Sequence, residues 1–189
     1  MECDVGTSRS LVRIRKYGKF VFDSIAIRLD PEAWLRRVGA RVGEGCRFYG
    51  VKPGTFGSEP FLISIGDHVT ITDGVKLITH DGGLWIFRKA TPKIELFAPI
   101  EIGSRVFIGV NAIILPGSVI SDDSIVAAGA VVRGSFPPRS VIGGVPAKVL
   151  GTVDDYFAKN ESSITTEFFG LTGGARREAL TRKYLGRQA

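Results

Sequence analysis

The stretch Ile102–Phe136, IGSRVFIGVNAIILPGSVISDDSIVAAGAVVRGSF, decides the fold. Steps of six from Ile102 land on Ile108, Ile114, Ile120, Val126 and Val132, every one aliphatic. Ile, Leu and Val make up about a quarter of the chain. Six hits in a row then have a chance of roughly 0.001 once every phase is allowed. The next residue is often small or polar, as in Ile102-Gly103, Ile108-Gly109, Ile120-Ser121 and Val126-Ala127. The residue four places on is mostly small: Val106, Ala112, Ser118, Ser124 and Ala130, with Phe136 ending the series. A period of six is neither the 3.6 of a helix nor the 2 of a plain strand. It suits a very short strand followed by a turn. Three such units close a triangular coil, and successive coils stack at about 4.8 Å. The pattern predicts an all-β solenoid in which Ile102 stacks on Ile120, Ile108 on Val126 and Ile114 on Val132, with small residues at the corners.

The pattern extends outward in both directions. It recurs at Ile65-Gly66, Ile71 and Leu77, and more faintly at Val42-Gly43 and Phe48. Leu77 and Ile102 are 25 residues apart, four hexads plus one. The phase slip expels residues 79–99, THDGGLWIFRKATPKIELFAP, as a loop. A Pro- and Gly-rich stretch at 50–61, GVKPGTFGSEPF, reads as a second loop. Loops on a rigid scaffold are where function concentrates. Residues 1–41 read as an N-terminal helical segment, with Asp30 as an N-cap and Pro31 at the first helical position. Residues 42–150 form the coils. Pro137-Pro138 ends the last regular one, and Gly143-Gly144-Val145-Pro146-Ala147-Lys148 closes it. Residues 151–189 read as a C-terminal helical extension, interrupted by Gly170 and Gly173-Gly174, that covers the open coil edge.

Composition narrows the chemistry. The 189 residues suit one domain with short appendages. No apolar run approaches the roughly 18–20 residues of a membrane span, and Met1-Glu2-Cys3-Asp4 does not open like a signal peptide. Cys3 and Cys46 make neither a disulfide framework nor a zinc motif, so a cytoplasmic location is expected. The chain has only two histidines. A metal site needing three from one chain is therefore excluded, and no metal is expected. The formal charge is +6. Much of the excess sits near the ends, at Arg9, Arg13, Arg15, Lys16 and Lys19, and at Arg176, Arg177, Arg182, Lys183 and Arg187. Solvated ends account for it most simply. A phosphate-rich ligand or transient peripheral contact with an anionic membrane face are the alternatives. No nucleic-acid motif accompanies the charge.

His80 stands where the regular coil gives way to the long loop. An imidazole there can take a proton from a hydroxyl and return it. His68, at the fourth position of its hexad, reads as a surface turn residue. Asp81 follows His80 directly and so points to the other face of an extended segment. Asp81, Glu59 or a backbone carbonyl could orient the ring, and the residues alone leave this open. Trp85, Ile86 and Phe87 would cover a ligand or pack on a neighbouring subunit. Asn111 and Gly129 fall on stacked corners, where small residues leave backbone groups reachable by an extended, amide-bearing ligand. Cys46, four residues after Val42, reads as core packing.

With these motifs in hand, residues 42–150 resemble the hexapeptide-repeat acyltransferase superfamily. The resemblance implies a left-handed parallel β-helix, an exception to the usual right-handed crossover. It implies His80 as the catalytic base, and Asp81, Trp85 and Glu59 on the acceptor side. It implies acetyl-CoA as co-substrate, held by Gly109, Val110 and Ala128, with Arg133 and Lys148 near its phosphates. It also implies a homotrimer with sites between subunits. The stretches Phe56-Gly57-Ser58-Glu59-Pro60-Phe61-Leu62 and Thr79-His80-Asp81-Gly82-Gly83 resemble O-acetyltransferases of sugar and surface-polysaccharide pathways. The acceptor would then be a small sugar, a sugar-lipid or a nucleotide sugar. An amino-sugar or antibiotic N-acetyltransferase is the alternative, and a non-catalytic scaffold a further one. The zinc-binding β-helix proteins related to carbonic anhydrase need three histidines and do not fit.

Overall fold

The computed structural model describes residue 18 and residues 21–186. The early basic residues Arg9, Arg13, Arg15, Lys16 and Lys19, and the late Arg187, lie outside them. The chain divides into two compact units, the first ending at Asp154 and the second starting at Asp155.

Helical residues 21–29 (α1) and helix α2 (Pro31–Arg37) precede the coils. The Asp30 side chain accepts from Ala33 N at 2.9 Å, with Pro31 in the first turn, so the cap read from the sequence is present. Trp34 and Leu35 turn inward from α2.

The coils then run in order. The first carries β1 (Arg41–Val42) and β2 (Arg47–Phe48), and the loop at 50–61 takes the place of a third strand. The second carries β3 (Ile63–Ile65), β4 (Thr70–Ile71) and β5 (Lys76–Leu77). After the long loop come β6 (Ile100–Ile102), β7 (Phe107–Ile108) and β8 (Ile113–Ile114). The fourth coil has β9 (Val119–Ile120), β10 (Ile125–Val126) and β11 (Val131–Val132). The last has β12 (Ser135–Phe136) and β13 (Ser140–Gly144). Parallel pairing stacks these into three faces: β1-β3-β6-β9-β12, β2-β4-β7-β10-β13, and β5-β8-β11.

The register is the one the period demands. Ile102 pairs with Ile120, Ile108 with Val126, and Ile114 with Val132. All six are 3% exposed or less. Each such side chain contributes about 1.5–3 kcal/mol of burial free energy. The residues four places on, Val106, Ala112, Ser118, Ser124 and Ala130, are equally buried. They point into the prism and do not form its corners, as the sequence reading had it. They are small because three inward walls converge there. The fourth hexad position makes the corner proper. It takes positive φ at His68, Arg105, Asn111 and Asp123 and at Gly74, Gly117 and Gly129, which explains the run of Gly, Asn and Asp there.

The second face does not end on an open edge. Strand β14 (Ala147–Thr152) folds back antiparallel on β13. Extended chain therefore continues past residue 150 before helix α3 (Val153–Asn160) begins. In the second unit, α4 (Gly173–Leu185) starts at Gly173-Gly174, so these glycines open a helix where a break was expected. Its Lys183 reaches Glu167 Oε2 at 2.7 Å and lies over the Phe168 ring, which packs on Tyr184.

Candidate active site

Both irregular loops leave the prism at one edge, where the third face turns into the first. Residues 50–61 arrive there just before β3, and residues 79–99 just before β6. Stacking therefore places Glu59 from one coil against His80 from the next.

The first loop is fixed by packing. Phe56 is fully buried between Trp34 and Phe48, with ring centroids 6.1 and 6.2 Å away. Gly57 has φ +64 and lies so close to the Leu77 carbonyl that a Cβ would sit 3.2 Å from it. Glu59 then caps a short 3-10 turn, Pro60–Leu62. Its carboxylate meets the next coil: Oε2 accepts from Thr79 Oγ1 at 2.8 Å and lies 2.9 Å from His80 Nδ1. Thr79 is completely buried.

The second loop is anchored at its base. Ala98 N donates to the Thr79 carbonyl at 2.9 Å, Asp81 N donates to the Leu96 carbonyl at 3.0 Å, and His80 bridges Phe97 in antiparallel fashion. The His80 ring rests near Phe97, centroids 6.0 Å apart. Asp81 then accepts from Gly83 N at 2.8 Å and caps the 3-10 helix Gly82–Phe87. This helix carries Trp85, Ile86 and Phe87, all more than half exposed.

An ionised carboxylate has no proton to give, so His80 Nδ1 must carry the hydrogen in that contact. Nε2 then holds the lone pair. The imidazole is 44% exposed and Glu59 18%, so the carboxylate sits behind a ring that faces out. A neutral imidazole with a held tautomer and an outward lone pair can remove a proton from a hydroxyl or amine. Beneath the loop, a cavity of about 60 Å³ touches His80, Asp81, Trp85, Arg88, Leu96 and Phe97. It has room for a few waters and no sugar. A larger cavity of about 770 Å³ lies on the other side of the Glu59 loop, against Trp34, Arg37, Gly57, Ser58 and Pro60.

The residues read from sequence fall into separate groups. His80, Asp81 and Glu59 share the third–first edge. Arg133 joins them: its guanidinium is 3.7 Å from Asp81 Oδ2. Trp85 projects from the adjoining loop. Glu59, expected on the acceptor, is engaged with Thr79 and His80. Gly109, Val110 and Ala128 lie together at the opposite end of the third face. Gly109 is pressed so close to the next coil that a Cβ would fall 2.6 Å from Ala128 N. The Val110 carbonyl accepts from Gly129 N at 2.8 Å and keeps its second lone pair. Val110 and Ala128 are exposed. Lys148 is exposed on β14, opposite Gly143. One chain thus sets the imidazole and the small-residue corner at two different edges. Sequence reasoning missed Thr79. The coil pattern gives no signal for it, because Thr79 is the third residue from Leu77, a position that is exposed at Asp67, Asp73, Val110, Asp122 and Ala128.

Two other expectations concern groups away from this edge. His68 is an exposed turn residue with φ +56. Cys46 is half-buried, and its thiol reaches the Gly66 carbonyl at 3.3 Å. Burial pushes the Cys46 pKa up, which leaves it protonated and a poor nucleophile.

The family of bacterial hexapeptide transferases (six repeats) matches residues 99–134. Over 141 residues the chain is 54% identical to Protein CapG of Staphylococcus aureus, covering 75% of this chain and 82% of that protein. The chain belongs to the hexapeptide-repeat acyltransferase family. Members of this family wind their parallel coils left-handed, and so does this one. Two relatives come from Escherichia coli K12. Galactoside O-acetyltransferase is 33% identical over 114 residues, covering 56% of this chain and 55% of that one. WbbJ, provisionally named as a lipopolysaccharide biosynthesis O-acetyltransferase, is 35% identical over 98 residues, covering 47% and 49%. This acyltransferase spans about half the length of those two.

Proposed function

We propose that the protein is an acetyl-CoA-dependent O-acetyltransferase acting on a sugar-containing acceptor of a surface-polysaccharide pathway. The observation that carries the reading is the outward-facing His80 imidazole held from behind by Glu59 at 2.9 Å. His80 Nε2 takes the proton of an acceptor hydroxyl as its oxygen attacks the thioester carbonyl. The carbon–oxygen bond forms, and the carbonyl electrons move onto oxygen. Collapse of this tetrahedral species breaks the carbon–sulfur bond, and the CoA sulfur takes the proton back from Nε2. Glu59 stays ionised and keeps Nδ1 protonated, so the ring offers the correct nitrogen both times.

Acetyl-CoA suits the corner formed by Gly109, Val110 and Ala128. An extended arm with two amides needs reachable backbone there, and both Val110 and Ala128 are exposed. Lys148 would meet phosphate from β14. Arg133, beside Asp81, belongs with the acceptor more than with those phosphates. Imidazole and corner lie at different edges of one prism. A second copy, turned so that its corner faces the first copy's His80, completes the site, and three copies close the ring. The homotrimer is part of the proposal. The names of the galactoside and WbbJ relatives support a sugar hydroxyl as the acceptor group.

The test is release of CoA thiol from acetyl-CoA by wild type and His80→Ala across sugars, nucleotide sugars and matched amino sugars. Acceptor-dependent release should fall about 10²–10⁴-fold in the variant, with acetyl-CoA binding retained. Release that is unchanged in the variant removes His80 as the base. A clear preference for amines moves the reading to N-acetylation. Failure to bind acetyl-CoA at all overturns it.

A further inference from the structure

Helix α1 has two apolar sides. Ile27 is 1% exposed and joins the core, while Asp23 turns inward to Trp34 Nε1 at 2.9 Å and to the Arg37 guanidinium at 2.8 Å. On the outer side, Val21, Ile25 and Leu29 are all more than half exposed, Leu29 at 81%, while the Phe22 ring lies against the Arg37 guanidinium, 4.7 Å from its centroid. Val21, Ile25 and Leu29 recur at intervals of four and form one stripe along the helix. An outward stripe of this kind on the first helix of a β-solenoid plays no part in the coil core.

Charge says what covers it. Arg28 is exposed beside the stripe. The sequence leading into the helix, Val5–Phe22, contains Arg9, Arg13, Arg15, Lys16 and Lys19 and no acidic residue. The aspartate within α1 is Asp23, and it is held on the inner side by Trp34 and Arg37. Asp30, next to Leu29, is exposed but turned to the start of α2, where it accepts from Ala33 N at 2.9 Å. An apolar stripe that follows so cationic a sequence matches the headgroup region of an anionic bilayer. There the apolar stripe sinks into the acyl boundary and the cations remain at the headgroups. The same charge set repels a second copy of itself.

We infer that α1 docks the protein on an anionic lipid surface. No helix among the described residues is long and apolar enough to cross a membrane, so the contact is interfacial. The inference does not rest on the acetyl-transfer reading, because docking needs no substrate.

The experiment is co-sedimentation of the full chain with vesicles of phosphatidylglycerol and phosphatidylcholine in equal parts, against pure phosphatidylcholine. Wild type should partition at least about tenfold more strongly onto the anionic vesicles at low salt, and the excess should fall as salt is raised. Ile25→Asp with Leu29→Asp should cut partitioning at least about tenfold, with the thermal melt of the coils retained. Arg28→Gln should weaken it less. If wild type ignores the anionic vesicles, or the double variant binds them like wild type, the inference fails. It fails also if the double variant changes the oligomeric state while wild type shows no lipid preference, since the stripe then joins copies of this chain.

Discussion

His68 and His80 sit on different edges of the same prism, and the edges are built differently. At the first–second edge the corner carboxylates bond across to the neighbouring coil. Asp67 Oδ1 accepts from Glu44 N at 2.8 Å, Asp122 Oδ1 from Ser104 N at 2.8 Å, and Arg105 grips Asp123 at 2.6 Å. His68 takes the turn there, with its backbone N–H on the Glu44 carbonyl. At the third–first edge two loops interrupt that ladder, and the hydrogen bonds run between loops. A carboxylate that would otherwise bind a backbone N–H binds an imidazole. The ladder makes a corner stable, and its interruption puts a carboxylate behind a ring and so fixes which ring nitrogen holds the lone pair.

The sharpest way to break this comparison is to remove the carboxylate without removing the ring. Glu59→Gln offers an amide that can donate as well as accept, so it no longer dictates which ring nitrogen carries the proton. Turnover should fall about 10–100-fold, less than for His80→Ala, with acetyl-CoA binding unchanged. The ring ¹⁵N spectrum is the decisive readout. Wild-type His80 should be the Nδ1–H tautomer, and the variant a mixture. Thr79→Val keeps the buried volume but deprives Glu59 Oε2 of one of its two donors, so it should move the spectrum the same way by less. Thr79→Ser should restore it. With His68 as the one other histidine, assignment needs a single variant. An unchanged tautomer in Glu59→Gln would show that the 2.9 Å contact holds nothing.

The same contrast should appear in stability. Gly109→Ala places a methyl 2.6 Å from Ala128 N and 2.9 Å from the Val126 carbonyl oxygen, both backbone atoms of the next coil. The coils must separate to admit it, at a cost of about 1–3 kcal/mol in a chemical-denaturation series. Gly82→Ala, in the long loop, meets nothing within 4 Å. It should be neutral within about 0.5 kcal/mol. Equal losses at the two sites would mean that coil spacing is not set by these glycines.

What could be read in the sequence follows the same division. Wherever a residue's neighbour is the residue one coil later, the period supplied both: Ile108 on Val126 and Ile114 on Val132 needed no structure. Where loops intervene, separation in sequence stops reporting distance. Ile65 pairs with Ile102 and Val42 with Ile65, at spacings that no six-residue rule contains. The partner of His80 was therefore open among Asp81, Glu59 and a carbonyl. Glu59 is 21 residues away and a whole coil removed, yet stacking makes it the neighbour. Asp81, adjacent in sequence, is occupied by Gly83 N. Arg133 met Asp81 for the same reason: both lie on one edge, and the long loop hides that alignment in the sequence.

The smallest expected effect tests the regular edge. Arg105 hydrogen-bonds Asp123 and holds its carboxyl pKa below the ordinary carboxylate value. A lowered folded-state pKa adds stability above the unfolded value, and this is lost as pH falls through the folded one. Both side chains are on the surface, so salt and solvent screen the pair. Asp123→Asn isolates the charge, because asparagine tolerates the φ of +57 that this corner requires. The variant should melt about 1–2 °C below wild type at neutral pH and low salt. The gap should close as pH drops below the usual carboxylate range, where wild type too has lost the charge. Arg105 stays ionised throughout, since a guanidinium does not lose its proton in this range. A gap that persists in acid would assign the loss to the corner's backbone instead of the ion pair. The ladder would then owe its order to turn geometry, with Arg105 and Asp123 only marking where two corners already stack.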